Sequence, residues 1–248
     1  MEPYYYQTLS KAEQSSYQAM QAGLQAFAPS FPVPLLENRA LTDVFMKLRL
    51  DCPQLFYAGT FQYRYYPDSR NAELIPAYLF EKGKLKEHQK ALQARVEKLV
   101  RPVAKCGDEE KLLYIHDFIC KNVRYDKLKK QYSHEIIGVL GHGVGVCEGI
   151  AKAVKILCDA LQIQCIIALA ENNPEKGVKY RHAWNVVRLD KKYYHLDCTF
   201  DLSLGNPEEI RYDYFLLSDK QIFRDHERLV WRVPACEDVD RFYYKTKK

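Results

Sequence analysis

The first 80 residues show two helical patterns followed by one strand-like pattern. A capping box from Ser10 to Glu13 precedes apolar residues at helical intervals, which predicts a helix that ends at the proline-containing run 30–34. A second apolar face predicts a helix over about 38–50. Aromatic residues then alternate with polar ones on one side of a turn at 67–70, and an apolar run returns on the other side, which predicts a hairpin.

After residue 80, long helical patterns come first. Residues 83–105 have the composition of a basic, solvent-facing helix. An acidic first turn at 108–110 precedes an apolar stripe that ends at Val123, which predicts a second helix. A further apolar face indicates a helix that begins near Cys147.

Strand-like segments dominate the last part of the chain. Strands are predicted at 164–170, 180–189, 192–200 and 213–217, and a second capping box follows at 218–221. Helices followed by several strands predict an α+β fold, in which helices pack on an antiparallel sheet. A weakly marked boundary separates an N-terminal helical and hairpin segment, 1–80, from the main domain, 81–248.

The composition is that of an ordinary soluble globular protein. The chain has 248 residues, 47% of them hydrophobic and 28% charged, and its net charge of +5 is too small to indicate nucleic acid binding. No run approaches the roughly 18 apolar residues of a membrane span, and the N-terminus lacks the features of a signal peptide. We therefore expect a cytoplasmic protein without membrane or nucleic acid partners, whose eight cysteines are reduced thiols.

One of these cysteines follows a glycine-rich approach. Glycines at 141, 143 and 145 allow a tight turn, and Cys147 then falls in the first turn of a predicted helix. Unpaired N–H groups at a helix N-terminus stabilise a thiolate, so this position suits a nucleophile. The spacing fits neither a dinucleotide-binding loop nor a P-loop. From position alone, Cys147 could equally be a buried structural thiol.

Two further candidates lie on consecutive predicted strands. If Asp190 and Lys191 form a two-residue loop, Trp184 lies opposite Asp197, and His182 becomes a diagonal neighbour of Asp197 on the same face. A three-residue loop would instead turn the two side chains to opposite faces. The assumed loop therefore permits a contact between the histidine and the aspartate without requiring it.

Cys147, His182 and Asp197 together supply the three parts of a nucleophilic acyl-transfer site. The thiolate attacks, the imidazole moves the proton, and the carboxylate fixes the tautomer and orientation of the imidazole. A single histidine on a strand is more often a core or surface residue, so the combination carries the prediction. His195, on the same predicted face, is interpreted as structural.

These residues occur in motifs that resemble the transglutaminase-like superfamily over roughly residues 111–219. The motifs are IHDF at 115–118, NVRYD at 122–126, GVCEGIA at 145–151, HAWN at 182–185 and HLDCTF at 195–200. The resemblance implies a papain-like α+β core with Cys147 at the start of a central helix, preceded by an N-terminal extension. It also implies that Cys147 is the nucleophile, His182 the base and Asp197 the orienting acid. Cys198 stands where many members have proline.

The resemblance implies cysteine-dependent acyl transfer or hydrolysis at protein or peptide amide bonds, through a thioester. We favour hydrolysis by a peptidase or amidase, with a protein or peptide acyl donor as the partner and no cofactor. The backbone N–H of Cys147 is the expected oxyanion donor, and Trp184, Gly145 and Glu148 are expected to line the substrate site. No acidic calcium loop is visible, and the oligomeric state is left open.

Three alternatives remain at this point. A non-catalytic binding or scaffold module could keep the fold, although an intact triad argues against it. An N-acetyltransferase-like enzyme would carry its cysteine earlier in the chain, after an Arg-Gly-Gly approach that is missing here. A zinc site built on His195 and Cys198 lacks the paired cysteine spacing of known zinc motifs, so no metal is expected.

Overall fold

The computed structural model describes residues 2–204 and 209–237, with the side chains of Asn38 and Leu204 left out. The described residues form two compact units that divide between Ala91 and Leu92. This division lies inside a helix, whereas the sequence pattern placed a weak boundary near residue 80.

The N-terminal unit contains three helices packed with a small antiparallel sheet. Its elements are α1 (Tyr4–Gln7), α2 (Lys11–Gln25), β1 (Phe31–Pro34), α3 (Asn38–Asp51), β2 (Ala58–Tyr65) and β3 (Asn71–Tyr78), and the strand order is β1-β3-β2. The capping box is present, since the N–H of Ser10 donates to the Glu13 carboxylate at 2.8 Å. Both predicted helices and the predicted hairpin are confirmed.

Strand β1 was not predicted, because its two prolines suggested only the end of a helix. The strand lies at the edge of the sheet, where Phe31 is opposite Leu74 and a missing backbone donor is tolerated. A buried carboxylate, Asp51, organises the other end of this unit. It accepts the N–H of Tyr5 at 3.1 Å and the hydroxyl of Tyr17 at 3.2 Å.

The second unit places helices against a four-stranded antiparallel sheet. Helix α4 (Lys82–Val100) crosses the division between the units. The remaining elements are α5 (Asp108–Asn122), β4 (Arg124–Tyr125), β5 (Val144–Gly145), α6 (Cys147–Ala160), β6 (Cys165–Ala170), β7 (His182–Leu189), β8 (Lys192–Leu196), α7 (Cys198–Leu204), β9 (Phe215–Leu217) and α8 (Asp219–Ile222). The sheet order is β6-β7-β8-β9, and α6 packs on β6 and β7. The predicted α+β fold is confirmed.

The hairpin of β7 and β8 has the register that a two-residue loop requires. Asn185 lies opposite Leu196 and Leu189 opposite Lys192. Asp190 has a φ of +50° and Lys191 a φ of +67°, as a type I′ turn needs. The predicted loop length is therefore correct, although neither residue is a glycine.

The predicted strand 192–200 is wrong in its last part. Strand β8 ends at Leu196, and helix α7 begins at Cys198. The side chain of Asp197 causes the change, because its Oδ1 accepts the N–H of Thr199 at 2.8 Å and that of Phe200 at 3.1 Å. These bonds satisfy first-turn donors in the manner of an N-cap. In the part of the chain that the structure describes, no helix is both long and apolar enough to cross a membrane.

Candidate active site

Cys147 is presented at the N-terminus of the central helix α6. The chain enters this helix from β5, which pairs in parallel with β4 so that Tyr125 lies opposite Gly145. The N–H of Val146 donates to the carbonyl of Ser133 at 3.0 Å and fixes the last residue before the helix. A Cβ on Gly149 would lie 2.2 Å from the same carbonyl oxygen, so this close approach needs a glycine. Most of α6 is buried, whereas Cys147 is partly exposed.

His182 is the first residue of β7 and lies between Cys147 and Asp197. Its Nε2 is 2.6 Å from Oδ2 of Asp197, and Cys147 lies close enough to raise the pKa of the imidazole. Nδ1 is the ring nitrogen that remains for the thiol. Burial acts to lower the pKa of His182, but the charge and hydrogen bond of Asp197, with a smaller contribution from Cys147, raise it to about 10. The site therefore favours the imidazolium form.

Asp197 is the buried centre of this cluster, with 1% of its surface exposed. One carboxylate oxygen caps α7, as described above, and the other faces two histidines. Burial alone would raise the pKa of Asp197, but the charges and hydrogen bonds of His182 and His226 hold it well below its ordinary range. The carboxylate is consequently ionised and fully engaged.

His226 is a member of the cluster that the sequence did not reveal. Its Nε2 lies 2.9 Å from the same Asp197 oxygen that binds His182, and its Nδ1 lies 2.7 Å from Oδ1 of Asp225. Because both ring nitrogens face carboxylates, the ring donates to both when it carries two protons. The residue is brought here by long-range pairing, in which the segment 228–230 bonds to the end of β6.

Trp184 forms the buried wall behind His182. The two rings stack with a centroid distance of 5.7 Å and an interplanar angle of 17°, and Trp184 is 1% exposed. Its indole N–H donates to Nδ1 of His195 at 2.9 Å, so His195 carries its proton on Nε2 and donates to Asp219 at 2.8 Å. Burial lowers the pKa of His195, in agreement with this neutral tautomer. A substrate contact for Trp184 remains a prediction.

Glu148 and Gly145, the other two expected substrate residues, make internal contacts. The Glu148 carboxylate lies 2.7 Å from the Nζ of Lys152, a fully buried lysine that also bonds Glu135 at 2.9 Å. A Cβ on Gly145 would come within 2.6 Å of a methyl of Val139, so this glycine permits close packing. Their roles in substrate binding also remain predictions.

Tyr125, which the sequence indicated only as part of the NVRYD motif, is a second residue near Cys147. It lies opposite Gly145 in the β4–β5 pair and is 37% exposed. Burial raises the pKa of its hydroxyl, and the negative charges of Cys147 and Asp126 raise it further. Tyr125 therefore lies close enough to Cys147 to interact with it electrostatically.

Among the described residues of this unit, two clusters of ligand-type side chains occur. The ligand atoms of His182, Asp197 and His226 lie within 4.8 Å of one another, and so do those of His195, Asp219 and Cys236. His195 therefore meets Cys236 rather than Cys198, the partner that the sequence motif suggested. Hydrogen bonds already connect the members of the first cluster, so a metal ion there would displace the bond between His182 and Asp197. All eight cysteines are free thiols.

The structure is that of an α+β protein in which Cys147 begins α6, His182 begins β7, and Asp197 bonds the His182 imidazole. Residues 93–198 match the family model of the transglutaminase-like superfamily, and this segment contains all three residues. The chain therefore contains a transglutaminase-like domain, as its motifs predicted. No curated protein matches it significantly.

Solved structures share parts of this fold at low identity. A TGase crystal structure is 12% identical with a TM-score of 0.39, covering 60% of this chain and 46% of that one. A structure from Cytophaga hutchinsonii, named "putative cysteine protease", is 16% identical with a TM-score of 0.36, covering 56% of this chain and 61% of that one. A "putative protease" from Parabacteroides distasonis is 16% identical with a TM-score of 0.34, covering 56% and 36%. In each case the match spans less than two thirds of the other chain.

Proposed function

We propose that this protein is a cysteine-dependent enzyme that attacks protein or peptide amide bonds through a thioester, with hydrolysis as its main outcome. The observation that carries the proposal is the 2.6 Å bond between the Asp197 carboxylate and the His182 imidazole, whose pKa is also raised by the neighbouring Cys147. The position of Cys147 at a helix N-terminus adds electrostatic support for the thiolate.

In the acylation step, the Sγ of Cys147 attacks the carbonyl carbon of the amide while the thiol proton resides on His182. The tetrahedral oxyanion accepts a hydrogen bond from the backbone N–H of Cys147. This N–H is available because first-turn N–H groups have no partner within their own helix. His182 then gives its proton to the departing nitrogen. The carbon–nitrogen bond breaks, an amine or ammonia leaves, and the acyl group remains on sulfur.

In the deacylation step, an acceptor replaces the sulfur. When water attacks, His182 takes one proton from it and returns it to the thiolate, which releases a carboxylic acid and the free enzyme. When a primary amine attacks in the same way, a new amide forms. We favour water as the acceptor; peptide cleavage, side-chain deamidation and cross-linking all use the same triad.

Asp197 acts in both steps through His182. The bond to Oδ2 directs Nε2 away from the thiol and leaves Nδ1 to exchange the proton. Trp184 supports the ring from behind, so His182 approaches Cys147 from one direction only. Gly145, Glu148 and Trp184 are retained as the proposed border of the substrate site.

Incubation with glutamine-containing peptides, with and without a primary amine, tests this function. Ammonia release alone would indicate a deamidase, conjugate formation a transferase, and new peptide termini a protease. Cys147→Ala should abolish each activity, whereas Cys106→Ala, at the other cysteine that is not buried, should have no effect. Equal behaviour of wild type and Cys147→Ala would indicate a scaffold, and acetyl-coenzyme A thiolysis would indicate an acetyltransferase.

A further inference from the structure

Two basic segments border the candidate active site. Residues 124–132 contain four Lys and Arg but a single acid, and residues 175–181 contain three Lys and Arg with a single acid. Their exposed cations form a group that we name the cationic rim, which consists of Arg124, Lys127, Lys129, Lys130, Lys179 and Arg181. The net charge of the whole chain is only +5, so these segments concentrate its positive charge.

The fold holds both segments against the reacting residues. Arg124 and Tyr125 pair with β5, which leads directly to Cys147. The second segment leads directly into His182 at the start of β7. The two segments also touch each other, because Nζ of Lys129 lies 3.3 Å from the ring centre of Tyr180.

Internal carboxylates offset the cationic rim only in part, since the charge of Lys130 acts on Asp126 and helps to lower its pKa. Asp126, the acid of the first segment, is buried and accepts the Ser133 hydroxyl at 2.5 Å and the N–H of Lys130 at 2.9 Å. Lys176 pairs with Glu227 at 3.0 Å and is therefore excluded from the rim. Among the described residues, none of the six rim cations forms an ion pair with a carboxylate.

We propose that the cationic rim binds acidic residues of the acyl donor, so that the substrate is a peptide or protein with Asp or Glu beside the reactive amide. This inference rests on the proposed function, since an amide must reach Cys147. Clustered charges of one sign around a cleft attract an oppositely charged ligand and raise its association rate by roughly 10- to 1,000-fold. A nucleic acid has the same charge, but it offers no acyl group to Cys147.

Alkylation of Cys147 tests the rim without a known substrate. Rates are measured by peptide mass spectrometry with the anionic reagent iodoacetate and the neutral reagent iodoacetamide, and N-acetylcysteine methyl ester gives the intrinsic ratio of the two. We expect the iodoacetate-to-iodoacetamide ratio at Cys147 to exceed the intrinsic ratio by about tenfold at low salt. The excess should disappear near 1 M salt, where charges are screened over about 3 Å.

Two matched variants locate the effect. Lys129→Gln/Arg181→Gln removes two rim charges and should lower the ratio at least threefold. Arg188→Gln/Lys191→Gln removes the same residue types from the opposite end of β7 and should leave the ratio unchanged. An equal fall in both variants would overturn the proposal, because it would reflect net charge alone.

Protection from alkylation distinguishes the ligand class. An oligoglutamate peptide should protect Cys147, and an oligonucleotide of equal charge should not; the reverse result would overturn the assignment to a peptide. If iodoacetamide labels Cys147 no faster than the model thiol at pH 6, the proposed function fails and this inference fails with it. If Cys147 is fast but shows no preference for the anion, only the rim proposal fails.

Discussion

The substitution Asp197→Asn removes one charge from the site and keeps its shape. The amide oxygen can occupy the position of Oδ1 and still accept the N–H of Thr199 and Phe200, so α7 remains capped. The amide nitrogen then replaces Oδ2. Because the amide nitrogen is a donor, it cannot accept a hydrogen bond from His182 or His226.

The size of the effect follows from the pKa of His182. Asp197 is the main reason that this pKa rises from its ordinary value of 6.5 to about 10. At 1.36 kcal/mol for each pKa unit, this shift stabilises the imidazolium of His182 by about 5 kcal/mol relative to that of a free histidine side chain. Without the carboxylate, burial dominates and the pKa of His182 should fall below 6.5. We expect kcat/KM to drop by about 100- to 10,000-fold, as when a triad loses its orienting acid.

The pH dependence gives the direct readout, measured as kcat/KM and as the alkylation rate of Cys147 between pH 5 and 11. Wild type should lose activity as pH rises through about 10, because His182 then lacks the proton that the leaving nitrogen requires. In Asp197→Asn this alkaline limb should move to below pH 7. Asp219→Asn is the control, since Asp219 contacts His195 instead of His182.

The unfolding free energy should also depend on pH through His182 and Asp197. The contribution of His182 is fully present below its ordinary pKa of 6.5 and is lost as pH rises through about 10. The contribution of Asp197, whose pKa is lowered, is present above its ordinary value of 3.8 and is lost in more acidic solution. The difference in unfolding free energy between wild type and Asp197→Asn should therefore be largest between pH 3.8 and pH 6.5, where both contributions are present. An unchanged alkaline limb in a folded Asp197→Asn protein would refute this account of the site.

Three further changes test neighbouring parts of the structure. His226→Leu should lower kcat/KM about tenfold and move the alkaline limb to higher pH, because Asp197 then binds His182 alone; His226→Gln, which still donates, should recover most of the activity. Lys152→Met should lower the unfolding free energy by about 3–5 kcal/mol in urea titrations, since Glu135 loses its buried partner, and a loss below 1 kcal/mol would contradict this. Lys191→Gly should raise that free energy by about 0.5–1 kcal/mol by relieving a positive φ, and destabilisation would argue against the turn.

The parts of the site that the sequence predicted are those set by local rules. A helix start after glycines marked Cys147, and a two-residue loop fixed the relation of His182 to Asp197. These signals act over a few residues, where side-chain period and turn geometry decide the outcome. Helices and hairpin of the N-terminal unit were predictable for the same reason.

The start of α7 was not predictable in this way. The alternation of apolar and polar residues in β8 continues in the sequence beyond Leu196. Nothing in this pattern distinguishes a strand residue from an aspartate that caps a helix. The capping bonds of Asp197 become visible only in three dimensions. Asp197, whose role in chemistry is proposed, thus has an observed role in local folding that the sequence pattern did not indicate.

His226 lay beyond sequence reasoning for a different reason. Its bond to Asp197 spans 29 residues and depends on pairing between residues 228–230 and the end of β6. No periodicity or spacing within the chain reports such a pairing, since the segment is too short to read as a strand. The missed residue is therefore one that the tertiary structure alone brings to the site.

The distance between Cys147, the proposed nucleophile, and His182, the proposed base, depends on how α6 packs on β7. Cys147 is fixed by the start of α6, whereas His182 is fixed by β7 and by Asp197, which follows β8. The side chain of Asn185, buried on β7, donates to the carbonyl of Ala151 on α6 at 2.9 Å and joins these two halves. A change at this bond alters the approach of the imidazole to the thiol while leaving both reacting residues in place. Since misplacement by about 1 Å can cost on the order of 100-fold in rate, we expect the packing of α6 on the sheet to matter to the proposed catalysis as much as the proposed triad does.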